Sequence, residues 1–167
     1  MAGQKLINCC AMMTLAEMVK WLARVGGQVS GVRCQGSGVG SRIMGAKSAK
    51  ELKVYQAAFN LAMDVFIISQ SWPKDEKFSL IDQIRRSSRS VCANLREAWA
   101  KRRYEAYFVS KLSDCDGENS ETDTWLDFAK ACKYITEDQH RRLANECKSI
   151  GAMLGSMINN PTPFLLQ

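Results

Sequence analysis

Arginine is the residue type in this chain best placed for chemistry with a partner. Arg85, Arg89 and Arg96 lie at offsets of 0, 4 and 11, which a helix gathers into one stripe, within ~40° of one another. Arg86 sits beside the stripe, and Lys101, Arg102 and Arg103 follow at its end. Guanidinium groups so aligned can follow a phosphate backbone of RNA or DNA. Such binding falls steeply with salt and reads no base sequence. The same side chains could instead pair with carboxylates within or between subunits. Asp114, Asp116, Glu118, Glu121, Asp123 and Asp127 fall in one stretch without a base.

Other chemistry is poorly supplied. His140 is the one histidine of 167 residues, and at the first position of a helical seam it reads as a half-buried, hydrogen-bonded side chain. Glu137-x-x-His140 is the sole Glu-x-x-His pair, whereas a di-metal carboxylate centre in a bundle needs such pairs on facing helices. The seven cysteines, at 9, 10, 34, 92, 115, 132 and 147, form no CxxC pair and have no histidine at zinc spacing. Several fall at apolar positions of helical patterns, as reduced structural thiols of a cytoplasmic protein do. The stretch DCDGENSE places its glycine fourth, where a calcium loop needs it sixth. GSGVGS, at 36–41, lacks the GK[ST] ending of a phosphate loop. The expectation is therefore no cofactor, no metal and no catalysis.

What must position the arginines is written in composition and periodicity. Apolar residues make up 46% and charged residues 24%, as in one ordinary globular domain, and no apolar run is long enough to span a membrane. The net charge of +6 resides entirely in residues 1–50; residues 51–167 balance to zero. Eight of the eleven glycines also precede residue 50. Residues 1–49 thus read as a basic, Gly/Ser-rich, flexible extension, with a short amphipathic helix at 6–25. That segment is interrupted by Asn8 and Glu17, which argues against a secretory signal.

From Glu51 onward the pattern is helical. Leu52, Tyr55, Phe59, Met63 and Phe66 form one apolar stripe of the first helix. Val54, Ala58, Leu61, Val65 and Ile68 form a second. A bundle helix needs a stripe of only ~100°, so the second stripe is assigned to contact with another subunit. The alternative is that the first helix lies centrally in its own chain. Trp72-Pro73 ends it, and Ser79–Asp82 resembles a capping box opening the second helix. There Ile81, Ile84, Ser88, Val91, Leu95 and Ala98 face a core, with Gln83, Ser87, Ser90 and Asn94 alongside as a register-fixing polar network. A third helix is predicted from about Tyr104 to Tyr134. A fourth opens on the capping box Thr136–Gln139 and ends at Asn159-Asn160-Pro161, with Gly151 and Gly155 permitting close helix approach. Short links and no strand pattern predict an all-α, antiparallel up-down four-helix bundle over 50–161, followed by a tail at 162–167.

The segment DQIRRSSRSVCANLREAW, then KRRYEAYFVSKLSDCDGENSETDTWLDFAKACKYI, resembles the four-helix bundle proteins also called the 23S rRNA intervening-sequence protein family. Gln83-Ile84-Arg85-Arg86, Asn94 with Glu97, Gly117–Glu121 and Trp125-Leu126 carry the resemblance, which spans about Glu51 to Pro161. It leaves residues 1–43 outside, with Met44 at a plausible family start. The resemblance implies a ring-like homopentamer. Related bundles are the accessory variability determinants of diversity-generating retroelements, where a basic pentamer assists a reverse transcriptase and binds nucleic acid. Arg85, Arg86, Arg89, Arg96, Lys101, Arg102 and Arg103 are then the expected phosphate contacts. The alternative is a protein-interaction scaffold without nucleic-acid binding.

Overall fold

The computed structural model describes residues 46–166. The predicted helix at 6–25, the predicted Gly/Ser-rich extension as far as residue 45, Cys9, Cys10, Cys34 and the Met44 start lie outside the described residues. Four α-helices account for most of the rest: α1 Lys53–Ile68, α2 Leu80–Lys101, α3 Glu105–Ala131 and α4 Glu137–Asn159. Short 3-10 turns precede α1, fill the α1–α2 connection and follow α4. No strand occurs among the described residues.

Each helix packs on its neighbours in sequence, and α1 also packs on α4. Particular contacts tie the pairs. Arg85 of α2 reaches the Phe66 carbonyl of α1, and the Cys92 thiol lies 4.0 Å from the Tyr55 carbonyl. Glu97 of α2 pairs with Lys111 of α3 at 3.0 Å, while the Ser87 and Thr122 hydroxyls meet at 2.9 Å. On α4, His140 meets Asp127, and the Cys147 carbonyl accepts from the Asn119 amide at 3.0 Å. Between these contacts lies one apolar core, in which Ile84, Leu95, Leu112, Leu126, Leu143, Ile150 and Leu154 are fully buried.

The stripe assigned to a subunit contact belongs to this core. Val54, Ala58, Leu61 and Val65 are no more than 3% exposed in the single chain, and Ile68 packs half-buried against the same cluster. They are not an oligomer surface. Because α1 is flanked by both α2 and α4, the broad apolar arc is filled from two sides by its own chain. What α1 leaves outward is part of the other stripe: Phe59 is exposed, with Tyr55, Met63 and Phe66 half-buried.

Several local expectations also change. Ser79 makes no cap bond to α2. Its hydroxyl instead donates to the Glu76 carboxylate, which accepts the Leu80 N–H at 3.3 Å and the Tyr134 hydroxyl at 3.1 Å. The 3-10 turn Lys74–Phe78 folds Glu76 back to the helix start, a placement invisible in the spacing of Ser79 and Asp82. The α3 helix stops at Ala131, before the predicted Tyr134, and the chain turns at Lys133, whose φ is +61°. A Cβ on Gly155 would meet nothing within 4 Å, and one on Gly151 only ordinary contacts with Asn119 and Asp116. Neither glycine is needed for a close approach. Of the polar residues beside the α2 seam, Ser87 bonds across to another helix, while Gln83 is engaged by Arg86 of its own helix.

The Thr136 box holds in both directions: Gln139 N–H donates to the Thr136 hydroxyl at 3.2 Å and Thr136 N–H to the Gln139 side-chain Oε1 at 2.9 Å. Before α1, Ala49 is fully buried, so the packed region begins slightly ahead of the pattern. The final residues join the core as well. Phe164 is buried and stacks on Phe108 at 6.1 Å, and Leu166 N–H donates to the Arg102 carbonyl at 3.2 Å.

Candidate nucleic-acid interface

The seven basic residues all lie on α2 or the corner after it, but they do not form one surface. Arg85 is tied into the end of α1. Its Nε donates to the Ser69 hydroxyl at 2.7 Å, its Nη2 reaches the Phe66 carbonyl at 3.5 Å, and its guanidinium lies 4.9 Å over the Phe66 ring. Ser69 is itself buried, its hydroxyl donating to Phe66. Burial, and secondly the charge of Arg89, lower the Arg85 pKa, though a guanidinium stays protonated. Arg85 therefore anchors the α1–α2 corner, with little freedom to reach a ligand.

Arg89 shares the Phe66 ring, at 5.6 Å, and is exposed. Stacking of this kind orients the guanidinium plane while leaving its N–H groups outward. Arg86, also exposed, donates to the Gln83 side-chain amide oxygen, Oε1, at 2.8 Å. Arg96 reaches the Ser48 hydroxyl at 3.4 Å. Lys101 lies 12 residues beyond Arg89, about 18 Å along a helix. Near it, Arg102 donates to the Trp99 carbonyl at 2.7 Å and lies 4.1 Å over the Trp99 ring. Arg85, Arg86 and Arg89 thus converge near the start of α2. Lys101, Arg102 and Arg103 make a separate cluster at its far end, with Arg96 between.

Carboxylate pairing follows a different map. Lys111 bridges Glu97 and Asp114, Lys130 holds Glu137, Arg141 holds Asp138, and Arg142 joins Asp64 to Glu146. None of the seven candidate bases makes an ion pair among the described residues. The acids of α3 are otherwise engaged or isolated: Asp127 meets His140 and Glu121 accepts the Trp125 indole N–H at 3.0 Å. Burial first, and then Glu121, raise the pKa of Glu118, which Arg86 opposes through space without touching it. His140 is the hydrogen-bonded seam residue its position implied. Glu137 accepts from the Lys130 ammonium at 2.9 Å.

Two residues absent from the sequence reading belong to the arginine cluster. Lys77 and Phe78 join Ile81, Asp82, Arg86 and Arg89 around an open cleft of about 550 Å³ beside the start of α2. Phe78 is 84% exposed, and the Lys77 ammonium lies 5.0 Å over its ring. The available signal was a lone aromatic inside the charged run KDEKFS, off any helical stripe. Among the described residues no helix is long and apolar enough to cross a membrane.

Comparison with known proteins agrees with this architecture. No curated protein matches. A protein of unknown function from the S23 ribosomal protein family of Bacteroides thetaiotaomicron, known from its crystal structure, is 30% identical, with a TM-score of 0.58. The match covers 64% of this chain and 96% of that one. The sequence profile of the 23S rRNA-intervening sequence proteins matches residues 50–156. Those residues hold α1, α2, α3 and nearly all of α4, so the chain belongs to the 23S rRNA-intervening sequence protein family.

Proposed function

We propose that this chain is a non-enzymatic, oligomeric nucleic-acid-binding or ribonucleoprotein accessory protein of the cytoplasm, built on an up-down bundle whose neighbouring helices run antiparallel. The observation that carries the reading is that the clustered candidate cations lack carboxylate partners. Lys111, Lys130, Arg141 and Arg142 each have a carboxylate, whereas Arg86, Arg89, Arg96 and the Lys101–Arg103 corner have none among the described residues. Exposed cations lacking acids are available to phosphates. The inter-helix contacts, in which later residues of one helix meet earlier residues of the next, support the antiparallel arrangement. Assembly into a ring, with the pentamer the resemblance implies, would multiply weak phosphate contacts. A reverse transcriptase is the protein partner that the resemblance to accessory variability determinants suggests.

The test is salt-dependent binding of structured RNA or DNA. Arg86→Gln, Arg89→Gln and Arg96→Gln together should weaken binding across sequences and flatten the salt slope, by about one unit per phosphate contact removed. Arg85 is left in place because of its bonds to Ser69 and Phe66. A second reading, a protein scaffold, is favoured by the zero net charge of residues 51–167 and by outward aromatics such as Phe59 and Phe128. No binding at low salt would select it.

A further inference from the structure

We infer that the cleft beside the start of α2 takes an unpaired stretch of nucleic acid, with one base stacked on Phe78 and the adjoining phosphates held by Arg86 and Arg89. The inference rests on the nucleic-acid reading and narrows it from phosphate binding in general to single strands. Three features carry it. Phe78 presents an aromatic face that no core contact uses, being 84% exposed at the end of a 3-10 turn. Lys77, Arg86 and Arg89 surround it against the single acid Asp82, a balance that suits a polyanion. Arg89 is held over Phe66, so its donors are positioned before any ligand arrives.

A duplex buries its base faces in its own stack and cannot offer one to Phe78. An unpaired strand can, and aromatic stacking beside a basic groove is how single strands are held without sequence preference. Duplex binding would use the cations alone and leave Phe78 without a role.

The experiment compares three probes on the full-length protein at low salt: a short unpaired oligonucleotide, an abasic strand of equal length, and the oligonucleotide annealed to its complement. The unpaired strand should bind about tenfold tighter than the abasic one, and tighter than the duplex. Phe78→Ala should erase that difference and Phe78→Trp should keep it. Because Phe78 lies outside the core, both variants should melt as the parent does. Equal affinity for all three probes, weakened alike by Arg86→Gln and Arg89→Gln, would overturn the single-strand inference while phosphate binding stood. Failure of every probe to bind at low salt would overturn both.

Discussion

Three of the four described cysteines are buried thiols, and burial sets their chemistry. It raises the Cys92 pKa to about 11 and those of Cys115 and Cys147 to about 12, from an ordinary value of 9.0. The neutral thiol is the form the fold favours. Stability from these groups is therefore intact below about pH 9 and falls as pH rises toward 11–12, where the unfolded chain ionises more readily. Denaturation midpoints measured on the alkaline side should decline over that window. Site-resolved alkylation at neutral pH should modify exposed Cys132 quickly, and Cys92, Cys115 and Cys147 only on unfolding. At the hydroxyl pair, Thr122→Val should cost about 1 kcal/mol. Adding Ser87→Ala should cost less than the sum of the two single changes, read from a double-mutant denaturation cycle.

The elements carry two tests of how the helices are placed. Leu61→Ala should destabilise the bundle by roughly 2–5 kcal/mol, because it opens a cavity in the chain's own core. Phe59→Glu should alter the assembly seen by light scattering with less effect on the melt, since Phe59 faces outward. At the start of α2, Glu76→Gln should increase amide exchange at Leu80. The Ser79 hydroxyl, then the Leu80 N–H, hold the Glu76 carboxyl below its usual range. Its contribution is present above the ordinary carboxyl value and is lost as pH falls through the lowered one.

These cases also show what periodicity could and could not convey. Steps of three and four placed all four helices, the α4 capping box and the His140 seam, because those signals are local. They could not say which of two α1 stripes meets the same chain, since both stripes are apolar and the choice depends on where α4 lies. Glu76 as the helix cap was hidden for a related reason: a 3-10 turn, with no strong sequence mark, brings it back. The arginine stripe was legible as geometry, but Phe66 and Ser69, which take Arg85 out of it, come from the end of α1 and the 3-10 turn after it.

At the scale of the molecule, charge is divided along the chain, with the whole net +6 in residues 1–50. Deleting residues 1–43 should leave a cooperative melt intact, because the described residues hold an apolar core of their own. The same deletion should weaken nonspecific polyanion binding and leave the Phe78-dependent preference unchanged, as separate titrations of the two proteins would show.

The connections between helices also bear on time. The α2–α3 link is three residues, Arg102–Tyr104, and the α3–α4 link five, Cys132–Thr136, whereas eleven residues, 69–79, separate α1 from α2. Chain closure over short loops is fast, and topologies rich in local contacts fold in microseconds to milliseconds. The α2–α3–α4 unit should accordingly assemble first, with α1 docking after the rate-limiting step. In a chevron analysis Leu112→Ala would then slow refolding, while Leu61→Ala would chiefly accelerate unfolding. A helix that arrives last is also the first to leave. Transient exposure of Val54, Leu61 and Val65 would be the native protein's earliest opening, and its most direct route to aggregation.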